Sequence, residues 1–328
     1  MRQLRGLRQI ARPSLCAGAP FGSVARPVSF HGRAWYERLA PQGLALRIEF
    51  TRPMTSETPA FGHFAPSPLI EGLMERTRRC DASWLGKRQA FLLRGLAIRA
   101  LKGQPVDTQS LGAKMRLYPY NNVCEKRILF TPQYFDAAER DLLASRITPD
   151  FVFLDIGANI GGYTLFVAAL AGPRARLLAI EPQPEIFERL VYNVRLNDFS
   201  NVKALNCAVA DVEGEITLFV AHGNKGETSM RIVNADSRGD QIRVPSKTLS
   251  GIVAQEGFTH IDAVKLDVEG AEDLILEPFF REAPEHLRPK LVLMEFSHGR
   301  WAADLNKILL DCGYKEVLRT RTNVAYER

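Results

Sequence analysis

FLDIGANIGG, residues 153–162, is an apolar, β-rich run that reaches an acid and then opens into a turn containing glycine. Tyr163, Phe166, Val167 and Leu170 follow at helical spacing, so the segment reads as strand, loop and helix. The N-terminus of such a helix offers unpaired N–H groups and partial positive charge, which suit the carboxylate of an amino-acid moiety as well as a phosphate. Glycine lets the backbone come close to that ligand. A dinucleotide fingerprint, G-x-G-x-x-G, requires glycine where Asn159 stands, so the loop favours a ligand without a diphosphate.

Working outward, strand and helix signals alternate from Phe151 onward. FVFLDIG (151–157), RLLAIEP (176–182), VKALNCAVA (202–210), AVKLDVEG (263–270) and KLVLMEF (290–296) read as strands buried on both faces. Helical faces lie between them, at 184–197 through Ile186, Phe187, Leu190, Val191 and Val194, and at 301–312 with Gly313 as the terminating C′ residue. This alternation predicts an α/β fold with a Rossmann-like, doubly wound sheet, whose ligands sit beyond the carboxyl ends of the strands.

Three acids stand at such ends. Asp155 closes the first strand, Glu181 the second, where a carboxylate can accept both hydroxyls of a ribose, and Asp211 follows the third, where it could accept the amino group of an adenine. With Gly157, Asn159 and Gly161 they form the candidate cofactor-binding set. Acids in these places also cap helices and turns, an alternative that weighs most on Asp211.

The blocks LDIGANIGGYT (154–164), IEPQPEIFERLVYN (180–193), NVKALNCAVAD (201–211) and KLDVEGAE (265–272) resemble, in sequence and order, the FkbM family of methyltransferases over about residues 113–320. The resemblance implies a class I methyltransferase fold with a mostly parallel, seven-stranded sheet, S-adenosylmethionine as donor, and a hydroxyl acceptor on a sugar or other small molecule or glycan. GNKGETSM (223–230) resembles the family's loop near the acceptor site.

Methyl transfer from a sulfonium is an in-line displacement in which alignment supplies much of the catalysis. An alcohol acceptor must still lose its proton, and Asp267 and Glu269 are the candidate catalytic residues, with Asp267 leading. Glu295 ends the next strand and His298 follows it as another possible base. Three acids there could instead collect Mg²⁺ or Ca²⁺, but no metal is assigned. Asp267 could also merely cap a helix beginning near Gly270, with Glu269 and Glu272 at its positive end.

The chain of 328 residues carries a formal charge of +6, unevenly placed. Residues 1–112 hold 17 Lys and Arg against 7 acids, and residues 113–328 hold 26 against 30, so the catalytic region is slightly acidic and no nucleic-acid partner is expected. Residues 1–36 contain six arginines and no acid, a leader-like composition that makes mitochondrial targeting the alternative to a cytoplasmic location. Residues 1–68 read as leader or disorder, and 69–112 as a helical extension whose arginines could touch an acidic acceptor, a membrane surface or only solvent. Five scattered cysteines suggest neither a disulfide framework nor zinc, and no run is long enough to span a bilayer. The competing functions are an NAD(P)-dependent oxidoreductase and a non-catalytic adenosylmethionine-binding protein of the same fold.

Overall fold

The computed structural model describes residues 58–220, 224–229, 240–296 and 299–328. Helices α1 (Pro68–Arg78) and α2 (Trp84–Leu101) precede an antiparallel hairpin, β1 (Val106–Ser110) and β2 (Ala113–Leu117). Helices α3 (Val123–Phe130) and α4 (Ala137–Ala144) lead to β3 (Val152–Ile156), α5 (Gly162–Leu170), β4 (Arg176–Ile180), α6 (Pro184–Arg195) and β5 (Val202–Leu205). A second, four-stranded sheet follows, from β6 (Ala208–Val209), β7 (Gly214–Val220), β8 (Thr228–Ser229) and β9 (Asp240–Lys247). The chain then forms α7 (Leu249–Glu256), β10 (Ala263–Leu266), α8 (Glu272–Glu282), β11 (Leu291–Glu295), α9 (Leu305–Asp311), β12 (Lys315–Arg319) and β13 (Asn323–Glu327).

The main sheet has seven strands in the order β12-β13-β11-β10-β3-β4-β5, with β13 antiparallel to both of its neighbours. Its inner strands are mostly apolar because each face meets a different core. Phe153, Leu177, Ala263 and Leu293 pack on one side, and Leu154, Leu178, Val264 and Met294 on the other. From β3 the order runs one way through β4 and the other way through β10, which makes the β3/β10 junction the switch point where a crevice opens. Asp155 there stands beside Lys265, and Ile156 beside Leu266.

Two of the elements that are shorter than their sequence patterns have visible causes. VKALNCAVA breaks after Leu205, where Asn206 Nδ2 donates to the carbonyls of Glu181 and Pro182, and Ala208–Val209 pairs with β9 in the second sheet. The helix expected from 301 starts at Leu305. Asp304 caps it by accepting from Lys307 N, and the N–H groups of Ala302 and Ala303 are already given to Asp273. Gly313 does follow it with φ +86°.

Residues 69–112 are not a separate layer, since Ile70, Met74, Ala97 and Val106 share a core with Phe153 and Leu165. Residues 58–64 are tied down as well, although they read as loop. Buried Arg116 pairs with Asp107 at 2.6 Å and donates to the carbonyls of Pro59 and Ala60, and Asp107 accepts from the N–H groups of Gly62 and Phe64. The guanidinium lies between the Phe64 and Tyr192 rings, 4.8 and 4.6 Å from their centroids. Asp107→Ala strands this cation inside the fold and is expected to cost about 3–5 kcal/mol. Urea unfolding reads this as a lowered midpoint, and an unchanged midpoint would show that the clamp is dispensable.

Candidate active site

The loop after β3 is fixed by its neighbours on both sides. The N–H groups of Gly157 and Ala158 both donate to Ile180 O at the end of β4, and Asp267 N donates to Ile156 O from the other flank. Gly157 has φ +74°, and a Cβ there would lie 2.0 Å from the Asp267 carbonyl oxygen, so only glycine fits between the two strand ends. Gly161 has φ +92° and abuts Leu190, which makes its role conformational. Asp155 is fully buried and turns to α5, where Oδ2 accepts from Thr164 N and Oγ1. It does not line the cavity, and burial raises its pKa against the opposing effects of Lys265 and Thr164. Its bonds tie the end of β3 to the first turn of α5.

Asn159 joins four segments. With φ +51°, which asparagine tolerates better than most residues, its N–H donates to Glu181 Oε2 at 2.9 Å. Its Oδ1 accepts from Asn122 Nδ2 at 2.8 Å, and its Nδ2 donates to Gly226 O at 3.2 Å. Gly226 cannot carry a side chain, because a Cβ would lie 2.5 Å from Asn159 Nδ2. Asn224 and Gly226, from the loop expected near the acceptor, therefore close over the cofactor loop.

A cavity of about 250 Å³ opens at the β3/β10 junction. Gly157, Asn159, Glu181 and the Cys207–Val209 segment line one side, and Asp267, Glu269 and Glu295 the other. Glu181 Oε1 accepts from Gln183 N as Oε2 does from Asn159 N, yet burial pushes its pKa up to about 7. Asp211 is exposed and outside this cavity, since the chain has already turned into the second sheet, and the wall expected from it is made by Cys207, Ala208 and Val209.

The acids of KLDVEGAE divide into two groups. Asp267 and Glu269 face the cavity and, with Glu295, place carboxylate oxygens within 4.8 Å of one another. Burial first, and then the charges of Asp267, Glu295 and Glu227, push the Glu269 pKa up to about 8, opposed by Arg300. Asp267 is no helix cap, for α8 begins at Glu272 after Ala271. Glu272 instead turns back, accepting from Val268 N, Gly270 N and Trp301 Nε1, and so fixes the loop that carries Glu269. His298 lies outside the described residues.

Sequence reasoning passed over Lys265, the cation beside these acids. Lys265 Nζ lies 3.1 Å from Asp267 Oδ2, 3.8 Å from Asp155 Oδ1 and 4.9 Å from the centre of the Tyr163 ring. Burial penalises its charge, but Asp267 and Asp155 outweigh that and hold its pKa above the ordinary value. Strand alternation back from Asp267 would have found it. Asp136 occupies the N-cap position of α4 but makes no cap bond; it pairs with Arg127 at 2.6 Å and accepts from Tyr163 Oη at 3.3 Å, at the cavity wall.

A mostly parallel, seven-stranded sheet in this order, with a glycine loop and an acid at its first two strand ends, defines a class I methyltransferase fold. The model of the methyltransferase FkbM domain matches residues 155–316. Methyltransferase sdnD of Sordaria araneosa is 30% identical over 200 residues, covering 52% of this chain and 76% of that protein. The 31-O-demethyl-FK506 methyltransferase FkbM of Streptomyces tacrolimicus is 28% identical over 157 residues, 40% of this chain, and the match spans 60% of its length. A third relative, the AMB antimetabolite synthetase AmbE of Pseudomonas aeruginosa, is 29% identical over 164 residues, 40% of this chain and 8% of that protein. This chain belongs to the FkbM methyltransferase family.

Gly157→Ala is expected to lower stability by more than about 1 kcal/mol, because alanine meets both an unfavourable φ and a backbone oxygen. Chemical denaturation measures it, and a wild-type midpoint would mean that β3 and β10 do not meet as described.

Proposed function

We propose that this chain transfers the methyl group of S-adenosylmethionine to a hydroxyl on a sugar or another small-molecule or glycan acceptor. The observation that carries the reading is one cavity holding the Gly157–Glu181 constellation on one side and Asp267, Glu269 and Glu295 on the other. The residues fit the donor. Gly157 keeps the β3 loop open to an amino-acid moiety at the start of α5, Glu181 has lone pairs left for ribose hydroxyls, and Ala208 and Val209 offer an apolar wall to an adenine.

S-adenosylmethionine supplies, when bound, a methyl carbon activated by positive sulfur, so the acceptor oxygen forms the C–O bond as the C–S pair departs onto sulfur. The protein's tasks are alignment and removal of the acceptor proton. Asp267 is held by Lys265 at 3.1 Å, which fixes its direction. Glu269 is the better matched proton acceptor, having a pKa near neutrality. We assign Asp267 to orienting the acceptor hydroxyl and Glu269 to taking its proton. The same carboxylates have the spacing of a cation site, but the Lys265 ammonium beside Asp267 already supplies positive charge there.

For the donor side, Glu181→Ala is expected to weaken adenosylhomocysteine binding by about 1.5–3 kcal/mol. In the wild type the affinity falls as the pH drops through about 7, since protonation removes acceptor capacity from Glu181. Titration calorimetry reads both, and an affinity independent of Glu181 would remove it from the site.

For the chemistry, transfer of labelled methyl to a fractionated extract of small molecules and glycans identifies an acceptor. With it, turnover rises with pH toward about 8, and Glu269→Gln is about 10²–10⁴-fold slower with donor affinity intact. Asp267→Asn also slows turnover. Full activity in Glu269→Gln would overturn the assignment, and activity lost to EDTA and restored by Mg²⁺ would give the cluster to a metal.

A further inference from the structure

Helix α2 wears its side chains inside out. Its inner face packs through Gly86, Ala90 and Ala97, all buried, whereas Trp84 (68% exposed), Leu85 (69%), Phe91 (49%), Leu92 (65%) and Leu96 (54%) stand outward. These five occupy one side of the helix at 3.6-residue spacing, an arc that also contains Arg88 and Arg99. Large apolar residues left outside while small ones fill the core require another occupant for that face.

The charge identifies the occupant. The 18 residues of α2 contain Lys87, Arg88, Arg94 and Arg99 and no acid, Lys102 follows at once, and Arg76 and Arg79 of α1 are nearby in sequence. The Arg88 guanidinium lies over the Trp84 ring and that of Arg94 over Phe91, 5.3 and 4.5 Å from the centroids. An exposed arginine such as Arg88 lying along an outward aromatic matches a layer of phosphates above acyl chains, not a second protein core. Among the described residues no helix is long and apolar enough to cross a membrane, so the fit is to a surface.

We propose that the outer face of α2 is a docking site for an anionic lipid bilayer, on which the helix lies in the plane of the headgroups. Leucine and aromatic side chains enter the acyl boundary, and Arg88 and Arg99 on the same arc meet lipid phosphates and carboxylates. α2 leans on the catalytic domain through Ala97 and Ile98, and Arg94 repels Arg127 of the cavity wall, so docking keeps the cavity close to the lipid surface.

Flotation of the full chain with vesicles of phosphatidylserine and phosphatidylcholine, and with phosphatidylcholine alone, tests this. Two double variants, Leu92→Gln with Leu96→Gln and Arg88→Gln with Arg99→Gln, change exposed residues and should keep the wild-type unfolding midpoint. The wild type is expected to float with the anionic vesicles, to be released by salt, and to lose roughly thirtyfold in affinity when two arginines are neutralised. The leucine pair should lose binding as well. Four results would overturn the proposal: no wild-type flotation; undiminished flotation of both variants, which would assign it to the Arg-rich residues 1–36; retention by polyuridine and not by vesicles; or a wild-type dimer that the leucine variant dissolves.

Discussion

The site is organised around the hydrogen bonds of Asn159. One residue in a left-handed conformation ties the β3 loop to Glu181 through its N–H, to the start of α3 through Asn122, and to the 224–227 loop through Gly226 O. Its cost in backbone strain is held in place by those partners. Loss of the side chain would leave Asn122 and the Gly226 carbonyl without that partner at the edge of the cavity, while the backbone N–H would still reach Glu181.

On this frame the cavity separates its charges. Glu181 stands on one side with a pKa near neutrality, and a carboxylate cluster stands on the other, balanced by the buried ammonium of Lys265. Lys265 reaches both Asp155 and Asp267, so the strand end that shapes the β3 loop and the strand end that faces the cavity share one cation. Glu272 and Asp273 work behind that cluster, anchoring the 300–303 segment and leaving Asp267 and Glu269 turned inward. One short block, KLDVEGAE, thus carries two cavity-facing acids and, in Glu272, the residue that fixes their loop.

Much of this was legible in the sequence, and the exceptions have physical reasons. The five parallel strands could be read because both of their faces are buried, which leaves continuous apolar runs. Glu181 could be read because it ends such a run. Asp211 could not be placed, since the turn at Asn206 sends the chain into a different sheet. The commitment of Asp136 to Arg127 and Tyr163 leaves no local signal, since Tyr163 is 27 residues away. Lys265 was hidden by its apolar surroundings in β10. The clamp of Arg116 on residues 59 and 60 joins distant segments and leaves no local signal.

Asn159 also separates the two nucleotide chemistries that this architecture can serve. Its side chain occupies the place where a dinucleotide fold keeps glycine for a diphosphate, and it is fully engaged there. The most direct measurement is titration calorimetry of the full chain with adenosylhomocysteine and, separately, with NAD. Saturable binding of adenosylhomocysteine with no heat from NAD is the expected result; tight binding of NAD without adenosylhomocysteine would contradict the account.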